Sequence, residues 1–204
     1  MMGNEACTTL FGTSPSQEIS QTDIIADVVA KFESRRASFR VFFVYGPREY
    51  GKTMFLSRIS NAFAGKDDWI VIDVNPGVNM LESLAFQLYD ECNAEHLFAN
   101  AEVNLSRNEN AFLLEGEHVA SVDTVLEIML TELRKQKKKV LITVDGVTNN
   151  SYMRVFAHAF QRFLREDFLV YLLMSGLYND IHNLERAKTM TFLARAPRIE
   201  LGPL

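Results

Sequence analysis

Residues 41–53 of the chain, VFFVYGPREYGKT, determine which fold the chain can adopt. The first five are β-branched or aromatic and predict a buried β-strand. The next eight fit G-x-x-x-x-G-K-[ST], the pattern of a phosphate-binding loop. Apolar residues recur at helical spacing over residues 54–63 and predict a helix. The motif therefore stands between a strand and a helix, which is the context that a phosphate-binding loop requires.

Each part of this loop suits a bound phosphate. Gly46 and Gly51 allow backbone angles and a close approach that a β-carbon would prevent. The loop N–H groups and the N-terminus of the following helix place positive dipole around an anion. Lys52 can neutralise the β- and γ-phosphates of a nucleotide, and the Thr53 hydroxyl can bind Mg²⁺. An ordinary glycine-containing β–α turn, the alternative interpretation, does not account for Lys and Thr side by side.

Length and composition limit the class of protein. The chain has 204 residues, of which 48% are hydrophobic and 23% charged, as in a globular domain with a full core. Its net charge of −5 argues against nucleic-acid binding by this segment. The basic run at residues 134–139 could contact nucleic acid or an acidic partner. We favour the alternative that these cations lie against a helix C-terminus.

The sequence also predicts the compartment. Cys7 and Cys92 have no metal-ligand spacing, which favours a reducing environment. Residues 1–20 lack the apolar core of a signal peptide. The longest apolar run, residues 168–177, is too short to cross a bilayer. We therefore expect a cytoplasmic protein without membrane association.

A second informative stretch is VLITVD, residues 140–145. It is an apolar strand that ends in an aspartate, well downstream of the phosphate loop. Such a carboxylate can hold Mg²⁺, usually through water, because this ion gives up its hydration shell reluctantly. An isolated aspartate at a strand end is more often a turn residue. Together with Lys52 and Thr53, Asp145 is predicted to be part of a metal site.

The remaining periodicity predicts alternating strands and helices. Further strands are expected at 69–74, 168–174 and 198–201, helices at 22–34, 80–92, 122–133, 152–165 and 181–193, and a small hairpin or mobile excursion around 101–105 and 111–114. This alternation implies an α/β fold with a parallel sheet and helices on both faces. Together with the phosphate-binding motif at 46–53, it predicts a P-loop NTPase three-layer sandwich. The expected organisation is a flexible arm at residues 1–21 and an ATPase core at 22–204.

The two nucleotide motifs, GPREYGKT at 46–53 and VLITVD at 140–145, give the chain a resemblance to the additional-strand P-loop ATPases. In these proteins an extra strand lies between the phosphate-loop strand and the metal-aspartate strand. VYLLMSGL at 170–177 and TFLARAPRIELGPL at 191–204 resemble segments of AAA-type ATP-binding proteins. The similar group is bacterial and archaeal, and related to replication initiators and STAND switches. FGTSP at 11–15 resembles the segment that leads into the nucleotide-sealing box in this group.

This resemblance implies an ATP-binding module that uses Mg²⁺. The resemblance also implies that Ser175 occupies the sensor position that detects the γ-phosphate. Thr53 and Asp145 are the implied metal ligands. The predicted nucleotide-binding residues are Gly46, Pro47, Arg48, Glu49, Tyr50, Gly51, Lys52, Thr53, Met54, Asp145 and Ser175.

The chain departs from the family pattern at three places. Gly146 stands where most relatives have an acidic residue that polarises the attacking water. Ser20 and Gln21 stand where the group has a Gly-Arg pair, so contacts to the adenine should differ. The sequence stops at Leu204, where relatives continue into a helical lid and often a winged-helix domain. We therefore expect a nucleotide-binding core without its lid.

Several functions remain open at this point. The leading hypothesis is a nucleotide-dependent switch with weak hydrolysis, which has a protein partner or self-associates. The second is an active ATPase with a relocated catalytic residue, for which Asp73, Asn149 and Asn150 are candidates, or with an arginine from a neighbouring subunit. A third is an interaction scaffold without nucleotide, against which the intact motifs argue. A DNA-binding initiator is a fourth, but the DNA-contacting domain of such proteins is absent from this sequence.

Overall fold

The computed structural model describes residues 21–34, 39–94, 97–98, 103–106, 111–114, 118–187, 190 and 192–202. The strands are β1 (Val41–Tyr45), β2 (Trp69–Asp73), β3 (Val103–Ser106), β4 (Ala111–Leu114), β5 (His118–Ala120), β6 (Lys139–Val144), β7 (Val170–Gly176) and β8 (Arg198–Glu200). The helices are α1 (Gln21–Glu33), α2 (Lys52–Ala64), α3 (Met80–Ala94), α4 (Val122–Lys135), α5 (Ser151–Arg165) and α6 (Tyr178–Glu185), with a 3₁₀ turn at Leu193–Arg195.

The main sheet has five parallel strands in the order β2-β6-β7-β1-β8. Strand β7 lies between β1, which leads into the phosphate-loop motif, and β6, which leads to Asp145. The extra strand that the sequence resemblance implied is therefore present at the expected position. In a parallel sheet the C-terminal ends of the strands meet at one edge, so the two motifs lie at the same edge.

Helices cover both faces of this sheet. Because side chains alternate along a strand, Phe42 and Val44 of β1 pack on one side, with buried residues of α1 and α2. Phe43 and Tyr45 pack on the other side, with buried residues of α3, α4, α5 and α6. The predicted three-layer α/β sandwich is confirmed.

A separate antiparallel sheet, in the order β3-β4-β5, lies between α3 and α4 in the chain. The hairpin predicted around 101–105 and 111–114 is confirmed by the pairing of β3 with β4. Strand β5 was not predicted, because three residues are too few to establish a period-2 pattern.

Two predicted bounds near the C-terminal part are wrong. The strand predicted at 168–174 begins later, at Val170, because the Phe168 N–H still bonds to the carbonyl of Phe163 in the turn that ends α5. The helix predicted at 181–193 is instead α6 followed by the 3₁₀ turn. Between them Met190 N–H bonds to Ala187 O, and Leu193 N–H to Met190 O, so i→i+3 turns replace helical bonds.

Some predictions fall outside the described residues. Residues 1–20 of the predicted flexible arm (1–21) lie outside the described residues, whereas Gln21 is the first residue of α1. The segment at 11–15 that resembles a nucleotide-sealing box also lies outside. Within the described residues, no helix has both the length and the apolar character needed to cross a membrane.

Helix α1 is attached to the sheet through an aromatic cluster, which gives a stability prediction. Phe32 is fully buried, with ring centroids 5.0 Å from Phe42, 5.4 Å from Tyr171 and 6.1 Å from Phe63. Phe32→Ala should lower the free energy of unfolding by about 3–5 kcal/mol, since it leaves a cavity among rigid rings. Denaturant unfolding measures this loss.

The matched control is Phe39→Ala, because Phe39 is 43% exposed. We expect it to cost less than about 1 kcal/mol. A loss in Phe32→Ala as small as that expected for Phe39→Ala would mean that the aromatic cluster under α1 contributes little to the stability of the domain.

Candidate functional site

The C-terminal ends of β1, β6 and β7 bring the predicted nucleotide residues together. The phosphate-loop motif follows β1, Asp145 follows β6, and Ser175 lies within β7. Strand pairing places Val44 of β1 opposite Ser175, and Val144 of β6 opposite Met174. The three segments are therefore neighbours at one edge of the sheet, where parallel α/β sheets bind ligands.

The loop backbone contains two residues in the left-handed region. Gly51 has φ 75°, which glycine adopts at little cost, and Glu49 has φ 67°, which is unfavourable for a residue with a side chain. Gly46 is required for a different reason. A β-carbon there would come within 2.9 Å of the Leu201 carbonyl oxygen, so the missing side chain lets the segment after β8 pack against the loop.

Helix α2 begins directly at Lys52, after Gly51 as its N-cap residue. Gly51 has no side chain that could cap this helix end, and the free N–H groups of a first helical turn point toward the preceding loop. The Lys52 ammonium folds back over the loop and donates to the carbonyls of Gly46 at 2.9 Å and Pro47 at 2.5 Å. Positive charge and positive dipole therefore converge on the loop, as binding of an anion needs.

Asp145 connects the three segments through hydrogen bonds. Its Oδ2 accepts a bond of 2.5 Å from the Thr53 hydroxyl at the start of α2. Its Oδ1 accepts a bond from the Ser175 hydroxyl in β7. The fully buried Ser175 hydroxyl in turn accepts the Gly146 N–H at 3.2 Å. Both predicted metal ligands and the predicted sensor thus belong to one network.

The oxygens at Thr53 and Asp145 fit a small divalent cation. They lie side by side, as neighbouring ligands of one ion must, and both are of the hard oxygen type that Mg²⁺ prefers. Among the described residues no group of three or more His, Cys, Asp or Glu side chains could form a complete protein cage. A Mg²⁺ ion held here would take its other ligands from phosphate oxygens and water, which is its usual behaviour at nucleotide sites.

Gly146 leaves open space beside Asp145. It has φ 76°, and a β-carbon built on it would meet nothing within 4 Å. Most members of the family that the sequence resembles carry an acidic residue at this position. In this chain the space for such a side chain is free. A side chain would nevertheless strain the backbone, because left-handed angles disfavour all residues except glycine.

The two asparagines predicted as weak catalytic candidates have structural bonds. Asn150 is the N-cap of α5, where its Oδ1 accepts the Met153 N–H at 2.7 Å. Its Nδ2 donates to Pro76 O at 2.8 Å and to the Thr148 hydroxyl at 3.0 Å. Asn149 Nδ2 donates to the carbonyl of Asn183 in α6 at 3.3 Å. Both amides hold the segment after Asp145 in place.

The other predicted loop residues differ in exposure. Pro47, Arg48 and Glu49 are exposed, and Met54 is 52% exposed. Tyr50 is half-buried and packs against the core between the sheet, α1 and α2. Exposed loop residues are accessible to a ligand, whereas Tyr50 anchors the loop to the domain.

Sequence reasoning did not find two residues that support the site. Thr143 is 3% exposed, and its hydroxyl donates to Asp73 Oδ1 at 2.9 Å across strands β6 and β2. A polar residue within the apolar stretch VLITVD was the available signal. Leu201 contacts Gly46 from the segment after β8, for which the sequence contains no local signal.

Tyr45, the last residue before the loop, ties β1 to β8. Its hydroxyl donates to Glu200 Oε2 at 3.1 Å. The pKa of Tyr45 is raised, chiefly by burial and also by the hydrogen bond to this carboxylate. The phenol therefore keeps its proton and remains a donor at neutral pH.

Comparisons with known proteins agree with this architecture. No protein-family model matches the chain, and no curated protein matches it significantly. The structure of Cdc6p from Pyrobaculum aerophilum matches with a TM-score of 0.61 and 15% identity, over 93% of this chain and 48% of Cdc6p. The structure of the Aeropyrum pernix ORC1 protein in complex with DNA matches with a TM-score of 0.50 and 16% identity. That match covers 94% of this chain and 46% of ORC1.

The chain thus spans about half the length of each of these two proteins. At this level of identity the similarity concerns the fold. The strand order, the helices on both faces and the match to these structures agree: the chain has the α/β fold of the P-loop NTPases, a three-layer sandwich with a central parallel sheet.

Proposed function

We propose that this chain binds ATP together with Mg²⁺ and acts as a nucleotide-dependent switch with weak intrinsic hydrolysis. The observation that carries the proposal is the network of Asp145 with Thr53 and Ser175, in which Thr53 directly follows the loop lysine Lys52. This arrangement combines a phosphate-binding loop after β1, a pair of oxygens that suits a cation, and the Ser175 hydroxyl on β7, the strand between β1 and β6. Thr53 and Asp145 would hold a Mg²⁺ ion, which would neutralise phosphate charge when bound.

Lys52 is the principal phosphate ligand in this proposal. Its ammonium now bonds to two neutral carbonyls of the loop, Gly46 O and Pro47 O. An anionic phosphate oxygen is a stronger acceptor for an ammonium than a neutral carbonyl, because the bond is then assisted by both charges. A nucleotide phosphate over the loop would therefore draw the ammonium away from these carbonyls.

The switch part of the proposal rests on how Asp145 is connected to the rest of the domain. Val147 N–H donates to Ser175 O at 2.8 Å, and a β-carbon on Gly176 would lie 2.8 Å from a Val147 methyl group. Asn149 bonds to α6, and Asn150 caps α5. A shift of Asp145 caused by nucleotide would thus be transmitted to two helices, which a protein partner or a second copy of the chain could recognise.

Weak hydrolysis follows from the residue after Asp145. Transfer of the γ-phosphoryl group to water depends on positioning the water and on stabilising the developing charge. Gly146 has no side chain that could orient or deprotonate a water. The exposed site also surrounds each charge with water, which weakens electrostatic interactions. Bound ATP would therefore be converted to ADP only slowly.

An active ATPase and a nucleotide-free scaffold are the alternative functions. Isothermal titration calorimetry with ATP and ADP, each with and without Mg²⁺, separates the scaffold from the two nucleotide-dependent functions. Turnover measurements then separate the switch from the ATPase. Absence of ATP binding under all conditions would exclude the proposed function.

Lys52→Ala should weaken ATP binding about ten- to a hundredfold. The lost charge-assisted contact is worth roughly 1.5–3 kcal/mol, and each 1.4 kcal/mol corresponds to a tenfold change. Calorimetry measures the affinity, and circular dichroism checks the fold. The control Lys135→Ala removes an exposed lysine at the end of α4 and should bind ATP as the wild type does. An unchanged affinity in Lys52→Ala would contradict the role of the loop.

Asp145→Asn should reduce the tightening of ATP binding by Mg²⁺ roughly tenfold or more, while metal-free binding changes little. The reason is that the substitution removes the carboxylate charge from the metal site but leaves Lys52 in place. The affinities are measured by calorimetry with and without Mg²⁺. Asp27→Asn, at a surface ion pair of α1, is the control. Equal weakening in both conditions would mean that Asp145 has a structural role only.

Gly146→Glu should raise the rate of phosphate release under saturating Mg²⁺–ATP by about tenfold or more, because general-base assistance typically contributes 10²–10⁴-fold. Part of this gain is offset by backbone strain of about 1–2 kcal/mol at φ 76°. Gly146→Gln is the matched control, since it carries the same strain without a base. A rise of equal size with glutamine would show that the carboxylate is not responsible.

A further inference from the structure

A second carboxylate, that of Asp73, lies near Asp145. Asp73 is the last residue of β2, is exposed, and pairs in register with Thr143 of the adjacent strand β6. The direct bond from the Thr143 hydroxyl to Asp73 shows that both side chains lie on the same face of the sheet. Asp145 is two residues after Thr143 and bonds to the start of α2, which packs on this face.

Strand geometry gives the distance between the two carboxylate residues. Neighbouring strands are about 4.8 Å apart and two residues advance roughly 6.6 Å, so the Cα atoms of Asp73 and Asp145 are ~8 Å apart. This separation is too large for a direct contact and leaves room for a water molecule between the two side chains. Asp73 therefore stands at the outer side of the metal site, away from β7.

The Asp73 carboxylate is held by rigid parts of the structure. Its Oδ1 accepts from Thr143, a buried residue on an internal strand. The chain after it turns at Asn75, whose side chain accepts the Gly77 N–H at 2.7 Å, and Asn150 donates to Pro76 O. In the described part of the chain no donor reaches Oδ2 of Asp73. One oxygen is oriented and the other is available to a water molecule.

The other candidates for a base are less suitable. The side chain of Asn150 is engaged through both its oxygen and its nitrogen, and an amide is a poor proton acceptor. Asn149 is also an amide, and it bonds toward α6, away from β2. Gly146 has no side chain. Asp73 combines a carboxylate, a defined orientation and a position on the correct face.

We propose that Asp73 is the general base of the slow ATP hydrolysis in this chain and that Thr143 positions it; this inference rests on the proposed function. The water oxygen attacks the γ-phosphorus, and the bond from phosphorus to the β–γ bridging oxygen breaks. ADP leaves with that electron pair, and the proton of the water passes to Oδ2 of Asp73 and then to solvent. The products are ADP and inorganic phosphate. An aspartate on the neighbouring strand reaches less far than the side chain introduced by Gly146→Glu would, so we expect turnover through Asp73 to be slow.

Asp73→Asn tests this inference. Single-turnover hydrolysis of radiolabelled ATP, with protein in excess and Mg²⁺ present, should slow by about 10²-fold, the low end of what a general base contributes. ATP affinity measured by calorimetry should stay within about twofold of the wild type. Asp67→Asn makes the same substitution just before β2, at the opposite edge of the sheet, and should hydrolyse ATP as the wild type does.

Two further variants distinguish a base from a structural residue. Asp73→Glu keeps a carboxylate and should restore part of the rate that Asp73→Asn loses, whereas a purely structural role would give no such rescue. Thr143→Val retains the base but loses the hydrogen bond that orients it, so we expect a smaller reduction in rate than in Asp73→Asn, with unchanged ATP affinity.

A double variant gives a further check. On the Gly146→Glu background the new carboxylate supplies the base, so Asp73→Asn should cost much less there than in the wild type. An equal cost on both backgrounds would overturn the inference, as would a wild-type rate in Asp73→Asn or the absence of single-turnover hydrolysis in a wild type that binds ATP. If the wild type binds no ATP, the proposed function itself fails and the inference falls with it.

Discussion

The carboxylate of Asp145 is the point on which the arrangement of the site depends. One of its oxygens accepts from Thr53 at the start of α2 and the other from Ser175 in β7. Hydrogen bonds to an ionised acceptor are stronger than bonds between neutral groups, and both oxygens of this carboxylate are used. The ends of β6, β7 and α2 therefore have defined positions relative to one another before any ligand is considered.

The surrounding domain makes such a network possible. Most side chains of β1, β6 and β7 are buried because helices cover both faces of the sheet, so the strand ends cannot shift independently. The phosphate loop is held from two further directions. Gly46 allows the chain after β8 to pack against it, and Tyr45 bonds to Glu200 on that strand. Rigid strand ends thus support a loop whose outer residues remain exposed.

The groups proposed for nucleotide binding and the group proposed for hydrolysis lie on different strands. The groups suited to phosphate and cation lie on β1, α2, β6 and β7, whereas Asp73, the carboxylate that could act on a water, lies on β2 at the edge of the sheet. Strand β2 is an edge strand of the main sheet, and the bond from Thr143 on the neighbouring strand orients Asp73. This division agrees with the proposed switch, in which nucleotide binding and hydrolysis depend on different groups.

The sequence by itself determined the strand–loop–helix unit at residues 41–64, the parallel α/β class and the role expected of Lys52, because these depend on local periodicity and a contiguous motif. Strand β5 and the turns after α6 were not predicted, because segments this short have too few residues to show a strand or helix periodicity. Only the tertiary structure decided which side chains meet. Thr53 and Asp145 are 92 positions apart, and Thr143 and Asp73 are 70 apart. Such contacts depend on strand order and register, which no local pattern encodes.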